Sequence, residues 1–316
     1  MKISKKAYRF IPFLFLFLTV ACVGEDFPPS AELNPEEPQV LAIKAEPPEI
    51  SPGETAGFES LVWWPETDIS RVWLLCVPLP YEDLNNCVKN YVERGGELID
   101  CQNIGSQDNA CILTQDATAS IQLDYPIPFG GESYQIIVEM VVSDQEDAWS
   151  TCKEAIEQTI PNKNCLISGK RLIYSNTEDN NLNPVISYLT LDGSPITEDT
   201  QVVNFSNDIV LGVKIDADYI DEIPENPEEE IKHYLEYSWY FDCGKMERYD
   251  DTGEITDFGT NTREIICKKQ PGDSEVECSF PQNYWKPEKA GNCVIYGVLR
   301  DNSGGIDYIV QNFLVE

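Results

Sequence analysis

Eleven cysteines behind an export-type leader constrain this chain's fold more than any other feature. They stand at positions 22, 76, 87, 101, 111, 152, 165, 243, 267, 278 and 293. Lys2, Lys5, Lys6 and Arg9 precede an apolar run from Ile11 to Ala21, which ends in a small residue just before Cys22. A basic start, a short apolar stretch and a small-residue junction are the parts of an export signal. The run is 11 residues long, and a spanning helix needs about 20, so residues 1–21 are expected to be removed. Outside the cytoplasm thiols oxidise. With Cys22 set aside, ten cysteines remain, an even number that allows five disulfides. Zinc is the competing use, and the spacing argues against it: there is no C-x-x-C, and His233 is the only histidine. The ten fall into Cys76, Cys87, Cys101 and Cys111; Cys152 and Cys165; and Cys243, Cys267, Cys278 and Cys293. Each group can close on itself, which suggests three separately stapled regions. Within each group of four, three pairings are open.

Cys22 follows Ala21 where a bacterial lipoprotein signal is cut and its cysteine acylated, and the leader resembles such a signal. Leu18 stands one place earlier than the usual leucine, with Thr19 in its position. The competing reading is plain secretion with an incidental Cys22. One acyl chain binds a membrane marginally and two or more bind it stably; the resemblance implies three. Val23, in place of Asp, points to the outer membrane by the sorting pattern of such lipoproteins. The expected location is therefore the cell envelope, with the membrane as partner through lipid on Cys22.

The chain carries 22 basic and 55 acidic residues, a net charge of −33. All four basic residues of the leader are lost with it, so the mature chain is more acidic still. Such a surface repels nucleic acid and anionic lipid headgroups, and no nucleic-acid partner is expected. Cations or basic partners would be attracted; solubility, or a salty habitat, explains the same charge without either.

Residues 22–38 are rich in Pro, Glu and Asp and are expected to form an extended tether. Short β-prone runs follow: 40–43, 56–64 with Phe58, Val62 and Trp64 on one face, 72–76, 120–125 and 134–142. Residues 78–115 read as a loop-like insertion. Several short strands separated by turn signals indicate an all-β sandwich over 39–146. Residues 148–160 have helical spacing, with Ala148, Trp149, Cys152, Ala155 and Ile156. A Cys152–Cys165 bridge would fasten that helix, and 166–174 could return to the sheet. The span 147–184 is read as helical connector and linker, with 176–183 polar and Asn-rich. A second β pattern occupies 185–316: alternation at Ile209, Leu211, Val213 and Ile215, an aromatic strand at 237–241, a strand at 293–301, and a turn at 302–305 into a terminal hairpin.

Three stretches resemble uncharacterised lipoproteins of myxobacteria-like Gram-negative bacteria: Pro38 to Thr55, Asn183-Pro184-Val185-Ile186 with Leu191-Asp192-Gly193, and Trp239 with Gly297 to Gly305. The second half is similar to immunoglobulin-like modules of the PKD kind. The resemblance implies two Ig-like β-sandwich domains, an anchored position and no assigned activity. It also gives Trp239 a place between two sheets, and implies a Cys243–Cys293 bridge with Cys267 and Cys278 stapling the insertion at 244–290.

Chemistry is sparse. Gly272-Asp273-Ser274 resembles the first block of a GDS-type lipase, but it sits between two cysteines, with His233 upstream. No G-x-S-x-G, H-E-x-x-H or P-loop occurs. One histidine leaves few general bases, so no catalytic residue, cofactor or metal ligand is expected. The segment 216–230 holds eight acids and no base; a solvated loop explains it, and calcium between strands is the sharper alternative. In Trp63-Trp64 and Tyr284-Trp285 only one member of each pair can point inward from a strand. The other is left for a loop, a glycan or a protein partner. The expected role is a non-catalytic interaction, adhesion or scaffold function in the envelope. The alternative is calcium-dependent binding of a glycan or other soluble ligand.

Overall fold

The computed structural model describes residues 33, 37–65, 68–76, 87–93, 101, 110–124, 133–158, 164–176, 181–205, 209–216, 234–249, 255–257, 262–268, 277–279, 283–301 and 303–316. In chain order the first domain comprises β1 (Gln39–Glu46), β2 (Glu49–Ile50), β3 (Thr55–Trp63), β4 (Ser70–Cys76), α1 (Cys87–Glu93), β5 (Ala110–Thr114), β6 (Ala119–Gln122), β7 (Ser133–Ser143), α2 (Ala148–Gln158) and β8 (Leu166–Ser175). The second comprises β9 (Val185–Leu191), β10 (Ser194–Pro195), β11 (Thr200–Val203), β12 (Ile209–Asp216), β13 (Tyr234–Phe241), β14 (Lys245–Tyr249), β15 (Ile255–Asp257), β16 (Thr262–Lys268), β17 (Glu277–Ser279), β18 (Asn283–Lys286), β19 (Gly291–Arg300) and β20 (Ile306–Val315).

The two domains repeat one topology. In the first, sheet β1-β3-β6 faces sheet β2-β8-β7-β4-β5. In the second, β9-β12-β18 lies in one sheet and β11-β20-β19-β13-β16 in the other. In each domain a short strand joins the last strand in parallel, β2 to β8 and β11 to β20. That is the strand order A-B-E against A′-G-F-C-C′ of an immunoglobulin-like sandwich. The C-strand tryptophans agree with it: Trp73 on β4 and Trp239 on β13 are both fully buried. Each lies in a core drawn from both sheets of its domain. Tyr237 meets Trp239 edge-on, with ring centroids 4.7 Å apart. Gly297, opposite Trp239 on β19, is required there, because a Cβ would fall on the Tyr237 hydroxyl.

Three strands lack the in-out alternation of a half-exposed sheet because both of their faces are covered. On β7, Ile136, Val138, Met140 and Val142 enter the sandwich core, while Ile137 and Val141 pack beneath α1 and α2. On β4, Trp73 and Leu75 point into the sandwich, and Val72, Leu74 and Cys76 towards the helices. The helix face is built from Val88, Tyr91, Val92, Ala148, Trp149 and Cys152. Asp147 caps α2, accepting from the Ser150 amide at 3.0 Å and its hydroxyl at 2.6 Å. These bonds hold its carboxyl below the usual carboxylate value.

On β1, Val40, Ile43 and Ala45 face the first core, and Leu41 and Ala42 face the second domain. A bulge between Val40 and Ala42 interrupts the alternation and lets the adjacent Leu41 and Ala42 face the same side. Leu33, Leu41, Ala42, Leu61 and Trp63 meet Tyr240, Val298 and Ile306 in a buried apolar seam. Arg300 crosses it, donating to Ser238 Oγ at 3.1 Å and to the Leu41 carbonyl at 3.0 Å. Lys44 donates to Asp307 at 2.9 Å. Asn183 ties both sides: its Nδ2 donates to the Ala45 carbonyl at 2.6 Å, and its Oδ1 accepts from the Ile306 amide at 2.8 Å.

Two spans differ from their sequence reading. The insertion 78–115 contains α1 and β5, which are not loop. Seven residues are too few to sustain a helix alone, so α1 depends on its packing and its disulfide. Within 147–184, bounded as connector and linker, the return of 166–174 to the sheet is realised as β8, an interior strand of the first domain's larger sheet, so the domain extends past 146. Only 176–184 then remains between the sandwiches. Among the described residues no helix is long and apolar enough to cross a membrane.

Arg300→Ala leaves the Leu41 carbonyl and the Ser238 hydroxyl in the seam without their charged partner. The expected cost is about 2–3 kcal/mol. In calorimetry the wild type should melt as one transition and the variant as two, because the domains no longer unfold together.

Candidate functional site

Among the described residues four disulfides are formed: Cys76–Cys87, Cys101–Cys111, Cys152–Cys165 and Cys243–Cys293. They resolve the open pairings of the first group into two short loops. They are the bonds of a chain that matures outside the cytoplasm. The three in the first domain fasten its two short helices and its edge strand β5. Cys76–Cys87 ties α1 to the end of β4, Cys101–Cys111 anchors the start of β5, and Cys152–Cys165 ties α2 to the residue before β8. Cys243–Cys293 joins the end of the C strand to the start of the F strand in the second domain. Cys267 and Cys278 occupy directly opposite positions on β16 and β17. Their backbone alone is described.

The other residues singled out in the sequence are dispersed. Cys22, His233, the acidic residues 217–230 and Gly272-Asp273-Ser274 lie outside the described residues. Between β19 and β20, Asp301 Oδ1 accepts from the Ser303 amide at 2.9 Å and the Gly305 amide at 2.6 Å, which makes the hairpin turn expected there. Of the two aromatic pairs, Trp63, Trp64 and Trp285 are engaged in packing, and Tyr284 is half-buried. Trp63 enters the seam and Trp64 packs against the first core. Trp285 is fully buried, gives its indole N–H to the Cys243 carbonyl at 3.1 Å, and lies 4.9 Å from Phe313.

One open cleft, of about 720 Å³, lies at the end of the first domain where β3 leads into β4 and β7 turns towards α2. Val62, Trp64 and Ile69 supply apolar wall, Asp68, Asp144 and Glu146 supply carboxylates, and Arg71 is the cation among the lining residues. The turn is fixed by Ser143, whose hydroxyl accepts from the Gln145 amide at 3.0 Å. Burial lowers the pKa of Arg71, and Tyr308 of the second domain acts on it in the opposite sense. The cleft therefore opens beside the seam. Carboxylates around an aromatic wall suit a cationic head on an apolar stem.

The most perturbed carboxyl among the described residues is elsewhere. Glu139 stands on the helix-covered face of β7 and is 6% exposed. Burial pushes its pKa up from an ordinary 4.5 to about 7, against hydrogen bonds from the Val88 and Cys87 amides that favour the ionised form. The Val88 amide lies 2.7 Å from Oε2. Sequence inspection missed this residue, because a single Glu inside an apolar strand carries no sign of what covers it.

No family model matches the chain, and no curated protein matches it. Solved structures similar to it include fibronectin(III)-like modules of Clostridium thermocellum CbhA, at 9% identity over 87% of this chain and 94% of that one, with a TM-score of 0.23. The N-terminal Ig1-2 module of the Drosophila receptor protein tyrosine phosphatase DLAR is 12% identical over 89% of this chain and 99% of that one, with a TM-score of 0.24. The C-terminal domain of Streptococcus pyogenes AspA is 10% identical over 89% and 100%, with a TM-score of 0.24. Likenesses at these scores decide nothing, and the immunoglobulin-like assignment stands on strand order and the buried C-strand tryptophans.

Non-reducing peptide mapping should recover Cys267 linked to Cys278, because facing positions of an antiparallel pair lie within disulfide reach. Finding either thiol free would refute it. A carboxyl whose folded pKa is raised favours folding fully below its unfolded value, and that contribution is lost as the pH rises through the folded one. Between pH 5 and pH 8 the wild type should therefore lose about 2.5 kcal/mol relative to Glu139→Gln, read from urea melts at the two pH values.

Proposed function

We propose that this protein is a lipid-anchored component of the cell envelope with a non-catalytic interaction or scaffold role. The anchor is Cys22, and the reading of the leader as a lipoprotein signal supports it. Val23 supports the outer membrane as the destination. The observation that carries the interaction role is the seam between the sandwiches. Arg300, Lys44 and Asn183 lock two immunoglobulin-like domains into one arrangement, so a single tether presents both as a unit. Large buried interfaces of this kind suppress the domain motion expected of loosely linked modules. The cleft beside the seam is a concave surface that the unit offers, and its carboxylates favour a basic protein segment as partner.

The test is expression in a Gram-negative host with the natural leader. The wild type should enter the detergent phase on Triton X-114 partition, and Cys22→Ser the aqueous phase. Crosslinking in cells, followed by affinity capture, should then recover a recurrent partner with the wild type and lose it with Cys22→Ser. Equal partition of the two forms would sink the anchor. A melting temperature that rises with calcium would move the reading to a cation-dependent binder.

A further inference from the structure

We propose that Cys76, Cys87 and Glu139 form a redox-active disulfide site that exchanges with a small thiol or dithiol, with Glu139 passing a proton to and from Cys76. This goes beyond the interaction role and does not depend on it. The two sulfurs and a Glu139 carboxylate oxygen all lie within 4.8 Å of one another. Cys76 is 2% exposed, whereas Cys87 is partly open to solvent. An incoming thiolate therefore has one sulfur to attack, Cys87, and the buried sulfur is the leaving group. A thiolate released into apolar surroundings is disfavoured, which makes a poor leaving group. A carboxylic acid beside it removes that obstacle by protonating the sulfur as the bond breaks.

The fold makes room for this acid. Glu139 pairs across the sheet with Gly169, and a Cβ at Gly169 would stand 3.3 Å from Glu139 Cγ. The amides of Val88 and Cys87 hold the carboxyl beside the disulfide. Its pKa of about 7 leaves both protonation states populated near neutrality. Among the described residues few other charged groups lie on the elements packed around it. Arg171 shares its face of the sheet on β8, as the register opposite Ile137 requires. On α1, Lys89 and Glu93 are exposed and paired with each other; on α2, Lys153 pairs with Glu157. Tyr91 of α1 is buried in the same cluster. From β4, the residue opposite Glu139 is Leu74, which cannot titrate.

The steps balance. A thiolate attacks Cys87 Sγ and forms a mixed disulfide. The Cys76–Cys87 bond breaks, its electron pair goes to Cys76 Sγ, and the Glu139 proton follows. Cys76 is left as a thiol and Glu139 as a carboxylate. A second thiolate attacks the incoming partner's sulfur, releases the small disulfide and leaves the Cys87 thiolate, which takes a proton from water, as does Glu139. Two electrons pass from the thiols to the protein. Oxidation runs the same steps backwards, with Glu139 removing the Cys76 proton.

The remaining disulfides lack part of this arrangement. Asp242 reaches Cys243 and Cys293, but those sulfurs belong to residues 5% and 1% exposed. Among the described residues no comparable group forms around Cys101–Cys111 or Cys152–Cys165.

The test treats the oxidised mature chain with dithiothreitol for graded times, quenches in acid, alkylates and maps the labelled cysteines by mass spectrometry. Cys76 and Cys87 should be labelled roughly tenfold or more faster than the other pairs, while circular dichroism stays native. Glu139→Gln should slow that opening at pH 7 by a similar factor and leave the other pairs unchanged. In the wild type, the rate per dithiothreitol thiolate should fall as the pH crosses 7. Simultaneous opening of all pairs, or an unchanged rate in Glu139→Gln, overturns the proposal. Should that variant not fold, the wild-type profile decides, and a flat profile overturns it.

Discussion

Arg300 is the residue on which the arrangement of the two sandwiches depends. It is 7% exposed, and its guanidinium spans the seam to the Leu41 carbonyl. A buried cation is tolerable only when its hydrogen bonds are supplied by the structure around it. Here those partners come from both domains, so the charge is satisfied only when the domains are docked. The bulge in β1 that turns Leu41 outwards is part of the same device, since without it Leu41 and Ala42 could not both face the seam. Asn183 adds to it from the linker, bonding β1 on one side and β20 on the other.

The first domain differs from the second in what covers its larger sheet. Two short helices lie over β4 and β7, each tied down by a disulfide, Cys76–Cys87 for α1 and Cys152–Cys165 for α2. Neither would persist unaided in water at 7 and 11 residues. Covering that face converts β7 from a half-exposed strand into a fully buried one and allows a carboxyl to be enclosed at Glu139. In the second domain the corresponding face, on β13, β19 and β20, is covered in part by the first domain itself. One topology is therefore completed by local helices in one copy and by its neighbour in the other.

Much of this was legible. Val72 to Cys76, Tyr134 to Val142 and Cys293 to Arg300 read as strands because β-branched and aromatic residues run together between turn signals. Trp239 read as a core residue because an indole on an immunoglobulin-like C strand has one place to go. Helix α2 was visible in its spacing. The candidate sites were less so. Glu139 looks like any other acid in a chain with 55 of them, and the lining of the cleft comes from three separate stretches of sequence. Neither signal is local, and composition masks both.

By itself the sequence pointed to an all-β chain, two successive β patterns, and cysteines grouped along the chain. Periodicity, turn chemistry and short loop closure are local properties, written in residues close to one another. Tertiary structure decided the rest: which cysteines of the first four pair, that β8 is an interior strand between β2 and β7, that β1 is buried on both faces, and that a carboxyl lies against a disulfide. Each depends on groups far apart in the chain, and the free energy of each exists only once those groups share the same low-dielectric space.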